Sequence, residues 1–189
     1  MKGTNYITIG YNFLKLSVNS IEEMEKQENK SAIFSDGGKS EEDSWHEFEQ
    51  RTKWNDQNIG IPVLFNFFHG VELILKGLIL HCDGEINEKT HKLTGLLEKL
   101  KQTANHPNSL TNHFHQILSN NGFEPFFEQN GKNVDSFYEL FKYPELKTGE
   151  DIKFTFIRGK EGIGLERFQR LKELASSIRT EIIEWKKRA

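Results

Sequence analysis

The sequence predicts an all-α fold: an up-and-down helical bundle of four to five main helices carrying a long irregular insertion. Three observations carry that expectation. Apolar residues recur three and four apart over long stretches, the spacing of one buried helix face. Clusters of Gly, Asn and Pro punctuate those stretches where helices stop. Fifteen Phe and three Trp in 189 residues supply bulky core material for one domain of ordinary size, long enough to bury roughly 70% of its unfolded surface.

Ile7, Tyr11, Leu14, Val18 and Ile21 follow a 4-3-4-3 spacing behind Thr4, which predicts a first helix with Thr4 as its cap. Residues 22–50 then carry ten Asp/Glu against Lys26, Lys30 and Lys39, a local net of −7. Within them, 28–43, with Ser35, Asp36, Gly37 and Gly38, reads as a mobile acidic loop. Trp45 and Phe48 suggest a short helix before a central apolar helix at about 58–81. Cys82-Asp83-Gly84 ends it, Gly84 suiting a position past the C-terminus.

Leu93, Leu96, Leu97 and Leu100 mark a third helix near 88–103, broken by Asn105-His106-Pro107-Asn108. Leu110, Phe114, Ile117 and Leu118 mark a short helix at about 109–120. The stretch 123–163 reads as irregular, with a helical turn or two at Val134 to Phe141 and a strand at Ile152 to Ile157. Leu165, Phe168, Leu171, Ala175, Ile178, Ile182 and Trp185 then form a 3-3-4-3-4-3 series over a last helix at about 164–187. Residues 1–189 read as a single domain, with 105–133 as an insertion.

The formal charge of −3 is nearly balanced and argues against bulk coating of nucleic acid. Residues 151–189, at a net of +4, form the more basic end. One cysteine, Cys82, excludes an internal disulfide framework and a multi-Cys zinc site, and fits a reducing compartment. The N-terminus lacks a signal-type apolar stretch, so cytoplasmic localisation is expected. Ile59 to Leu80 is long enough to span a bilayer. Asn66, His69, Glu72 and Lys76 in its middle, with about 2.5–3.5 kcal/mol lost per central charge, favour a buried bundle helix and no membrane.

Several motifs carry no chemistry. Gly37-Gly38-Lys39-Ser40 resembles the end of a phosphate-binding loop, but position 33 is Ile and the flanks are acidic. His113 and His115 project roughly 200° apart on a helix and share no ion, and no metal site or cofactor is expected. No Gly-x-Ser-x-Gly turn presents a serine nucleophile. The central helix is more informative. Asn66, His69, Glu72 and Lys76 occupy one sector about 120° wide on an otherwise apolar rod, and Glu72 and Lys76 have the favourable i, i+4 order for an ion pair. A solvent-facing stripe, an internal ion pair and a polar groove between helices all fit that pattern.

Gly70-Val71-Glu72-Leu73-Ile74-Leu75-Lys76-Gly77-Leu78-Ile79 resembles the E-x-x-L-K-A-L-L core helix of HEPN domains (higher eukaryotes and prokaryotes nucleotide-binding). Thr90-His91-Lys92-Leu93-Thr94-Gly95-Leu96-Leu97 resembles their G-H-D-L-x-x-L element, and Phe141-Lys142-Tyr143-Pro144-Glu145 their x-R-Y-P-D element. The three occur in the family's order, and the similarity covers about 57–100 and 134–187. The resemblance implies an all-α bundle, commonly a homodimer, that binds RNA, a nucleotide or a companion protein such as a nucleotidyltransferase or antitoxin in toxin–antitoxin or phage-defence systems. Glu72, Lys76, His91, Lys142 and Tyr143 are the ligand-binding candidates, with Lys76 and Lys142 meeting phosphate, Tyr143 stacking on a base and His91 hydrogen-bonding. None of Arg51, Arg158, Arg167, Arg170, Arg179 and Arg188 is followed, after four to six intervening residues, by the histidine that the family's ribonuclease branch carries. A non-catalytic binding module is therefore expected. The alternatives are a degenerate metal-independent endoribonuclease, using His91 or His81 with Lys142, and a purely structural interaction protein.

Overall fold

The computed structural model describes residues 3–31, 38–82, 84–86, 90–143, 145–146, 148–158 and 164–188. Eight α-helices are found among them: α1 (Thr4–Lys26), α2 (Glu41–Thr52), α3 (Asp56–His81), α4 (Leu93–Lys101), α5 (Asn108–Ser119), α6 (Glu124–Gln129), α7 (Phe137–Lys142) and α8 (Gly164–Arg188). Short 3₁₀ turns lie at Val134–Ser136 and Phe154–Ile157. No strand is present among the described residues, and the fold is an all-α bundle.

α3 is the axis, packed by α1, α4 and α7, with α8 closing the far side of α1 and covering α5. Its Phe67, Phe68, Val71, Ile74, Leu75 and Leu78 are fully enclosed, so the one helical stretch among the described residues that is apolar enough to cross a membrane is mostly covered by protein. α1 runs antiparallel to α3: Gly3 lies against Gly77, and Gly10 against Gly70. α8 runs antiparallel to α1, with Lys172 paired to Glu25 and Arg179 over the Tyr11 ring.

Several boundaries differ from the sequence expectations. Thr4 is the first helical residue of α1, and Gly3 is its N-cap at φ +80°. A Cβ there would fall 2.1 Å from the Gly77 carbonyl oxygen, so only glycine lets the chain enter so close to α3. The acidic loop is shorter than 28–43. Asn29 Oδ1 accepts from the Asp56 amide at 2.7 Å, and Asn55 Nδ2 donates to the Lys30 carbonyl at 2.9 Å, tying 29–30 to the start of α3. At the other end Ser40 caps α2, and Glu41, Glu42 and Asp43 form its first turn. The negative charge there suits a helix N-terminus rather than a loop. Positions 32–37 lie outside the described residues.

α4 begins at Leu93, not near 88, and 90–92 are not helical. Asp135 terminates it from a distance: its Oδ1 accepts from the Thr94 amide at 2.8 Å and its Oδ2 from the Thr94 hydroxyl. The strand expected at Ile152 to Ile157 is instead a 3₁₀ turn preceded by an isolated antiparallel bridge, Glu145 to Asp151. Ile152 and Ile157 are buried while Phe154 and Phe156 are only partly so, which is not the two-residue alternation of a strand. Among the described residues no neighbouring extended segment supplies a ladder. The segment 105–133 contributes α5 and α6, whose Phe126 and Phe127 pack on Phe141 and are buried in the common core.

Candidate functional site

The polar sector of α3 faces inward. Glu72 is 1% exposed and Lys76 3%, which sets aside the solvent-facing reading of that stripe. Lys76 Nζ donates to Glu72 Oε1 at 2.8 Å, the i, i+4 pair that the spacing called for. Two histidines complete the carboxylate's shell: His69 Nδ1 lies 3.3 Å from Oε2, and His91 Nδ1 lies 3.1 Å from Oε1. Burial pushes the Glu72 carboxyl up, but the hydrogen bonds from His69, Lys76 and His91 and the lysine's charge outweigh it and hold the group at about 2. An ionised carboxylate only accepts, so each imidazole presents Nδ1–H to it and directs Nε2 elsewhere.

His91 lies in the segment entering α4. Asp135 caps that helix, and His91 is free to turn toward α3. Its ring stacks on Tyr138 of α7 at 4.1 Å between centroids and 13° between planes. Lys142, one turn further along α7, donates to the Tyr138 hydroxyl at 3.0 Å and lies 4.7 Å from that ring's centroid and 5.6 Å from that of Tyr143. The hydrogen bond to Tyr138 raises the Lys142 ammonium above its usual range. Phe13 and Phe65 flank His69 at 4.9 and 5.6 Å, and Phe65 also meets Tyr138 at 5.9 Å. The result is a buried anion at the base, two imidazoles above it, and an aromatic and cationic rim. Tyr143, 49% exposed, is its outermost ring.

Thus Glu72, Lys76 and His91 meet directly, and Lys142 and Tyr143 join them through Tyr138. Sequence reasoning missed Tyr138 as a site residue, although its i, i+4 spacing to Lys142 is a usable signal. It placed His69 in the polar sector without giving it a role. His81 belongs elsewhere: its ring sits edge-on to Trp185 of α8 at 4.6 Å. Pro144 of the third family element lies outside the described residues, as does Gly37 of the phosphate-loop decoy. Lys39 pairs with Glu47, and Ser40 caps α2. Among the described residues no group of three or more His, Cys, Asp or Glu is arranged to hold a metal ion.

A pH dependence follows. The Glu72 carboxyl stands at about 2, against an ordinary 4.5. A group depressed by folding contributes its stability in full above the ordinary value and loses it as pH falls toward the folded value. The contribution is about 3 kcal/mol, lost between about pH 4.5 and pH 2. Urea melts across that window should show a steeper loss for wild type than for Glu72→Gln. Identical slopes would remove Glu72 from the acid transition.

Comparison with protein-family models, curated proteins and solved structures finds no match to this chain.

Proposed function

We propose that the chain is a HEPN-like, non-catalytic binding module for single-stranded RNA or a nucleotide, cytoplasmic and dimeric, working beside a companion protein of a toxin–antitoxin or defence pair. The observation that supports the reading is the continuous ladder His91–Tyr138–Lys142–Tyr143, anchored at one end on buried Glu72 and open at the other on half-exposed Tyr143. Stacked aromatics beside a fixed cation suit a base with its phosphate, whatever the base. Glu72 is engaged by Lys76, His69 and His91, so its charge turns inward and does not repel an anion at the rim.

Titration with a fluorescent nucleotide and with labelled single-stranded RNA at low salt tests this. Saturable binding is expected, weakened about tenfold or more by Tyr143→Ala through lost stacking. Lys142→Ala should weaken binding and flatten the salt dependence by about one unit of log–log slope. No saturable signal at millimolar nucleotide would overturn the reading and leave an interaction protein. RNA cleavage in EDTA that His91→Ala abolishes would replace it with an endoribonuclease.

A further inference from the structure

α3 also opens on a second site. Asp56 starts the helix, sixteen residues before Glu72 and about 24 Å from it along the axis. A cavity of about 260 Å³ lies here, lined by Asp56, Gln57, Ile61, Phe154, Thr155, Ile157 and Arg158. Ile61, Phe154 and Ile157 make its walls apolar. The charged pair on its margin is Asp56 and Arg158, with Nη2 3.2 Å from Oδ1.

Asp56 is the unusual member. It is 5% exposed, yet neither carboxylate oxygen accepts a hydrogen bond. Buried carboxylates ordinarily collect several, because desolvation is costly without them. The local backbone is shaped around this group: a Cβ on Gly164, the first residue of α8, would fall 2.2 Å from Oδ2. The positive end of α8 eases the charge there but supplies no hydrogen bond. Arg158 keeps 29% of its side chain exposed and holds Asp56 through an ion pair alone.

We propose that this cavity binds a free α-amino acid with an apolar side chain. The ammonium brings three donors to the two unsatisfied oxygens of Asp56, and the ligand's carboxylate takes the guanidinium fork of Arg158. The side chain lies against Ile61, Phe154 and Ile157. Charge selects the zwitterion. A bare amine would leave Arg158 uncompensated, and a bare acid would compete with Asp56, whereas the amino acid matches the pair charge for charge. Size agrees, since the volume is just under the roughly 300 Å³ at which drug-sized pockets begin, too small to enclose a nucleotide. Entry requires the partly exposed guanidinium to swing from Asp56 to the incoming carboxylate, which uncovers the oxygens for the ammonium.

The test is calorimetric titration and thermal melting of the full chain with L-leucine and L-phenylalanine. Glycine, phenylethylamine and 3-phenylpropionate are the partners lacking side chain, carboxylate and amine respectively. Saturable heat and a raised Tm are expected for the two apolar amino acids, with at least about tenfold weaker binding by the three controls. Ile61→Trp, which fills the cavity without touching the ion pair, should abolish binding while leaving the circular dichroism spectrum and nucleotide titration as in wild type. Arg158→Gln should weaken the amino acids toward the level of phenylethylamine. No response to either amino acid at millimolar concentration by natively folded protein overturns the proposal. So does equal binding of phenylethylamine, or binding that survives Ile61→Trp.

Discussion

Glu72→Gln is expected to lower stability by about 3–5 kcal/mol, the scale on which one partner of a buried ion pair is removed from the other. The amide is nearly the same shape, so the loss is electrostatic and not a cavity. Lys76, 3% exposed, then faces a neutral group, and the amide's NH₂ competes with the donors of Lys76, His69 and His91 that now converge on the carboxylate. Replacing both charges tells a different story. Glu72→Leu with Lys76→Met returns α3 to an apolar rod, and exchanging a buried pair for hydrophobic residues of similar volume is neutral or favourable in many proteins. The double variant should therefore melt above Glu72→Gln, with a coupling energy of at least about 2 kcal/mol in a cycle completed by Lys76→Met and Glu72→Leu. Denaturant melts at constant m-value measure it. Additive losses would mean that the pair is not coupled. The double variant should also bind nucleotide poorly, because His91 loses the acceptor that orients its ring under Tyr138; binding equal to wild type would mean that the pair serves only the fold.

The fold was legible wherever a buried face repeats. α1 and α8 each bury one stripe along more than twenty residues, and a 3.6-residue period over that length has no competing explanation. Short elements were not, because their limits are imposed from elsewhere. The start of α4 depends on Asp135, forty-one residues away, and no local pattern around residue 88 announces that. Ile152, Phe154 and Phe156 alternate in sequence as a strand does, but a ladder needs a partner and the alternation is silent on that. In the site, the Glu72–Lys76 pair was readable because both residues sit on one helix. Tyr138 was not, since its importance comes from α7 and the segment entering α4 meeting over α3. The family elements pointed at His91, Lys142 and Tyr143, while the ring that joins them is the one those elements omit. Asp56 carried no sequence signal at all: its environment is assembled from α3, the 3₁₀ turn and the first residue of α8.

Gly10→Val is expected to cost about 3 kcal/mol or more. Gly3 at the N-cap of α1 and Gly10 within it are seven residues apart, as are Gly70 and Gly77 on α3, so the α3 pair lies on one face, two turns apart, opposite the other two. Antiparallel packing sets Gly10 against Gly70, and the backbones themselves make the contact. A Cβ on Gly10 would meet the Gly70 carbonyl oxygen at 2.7 Å and Ile74 Cγ1 at 2.7 Å; one on Gly70 would meet the Gly10 oxygen at 2.9 Å. The carbonyl belongs to a buried helix and cannot swing aside as a side-chain tip does. Relief comes only by moving α1 away from α3, which loosens Ile7, Leu14 and Val18, all now enclosed. Burial of such residues is worth about 1.5–3 kcal/mol each, so even partial loss at three positions outweighs the better helix propensity of any replacement. Gly95 in α4 is the control. A Cβ there meets only Lys92 Cβ, at 3.9 Å, and Gly95→Ala should raise stability by about 0.5–1 kcal/mol through the entropy of the unfolded chain. Opposite signs at Gly10 and Gly95 in thermal melts are the expected result. A small effect at Gly10 would mean that the two helices have room to separate, and that the spacing of the four glycines has no part in holding them together.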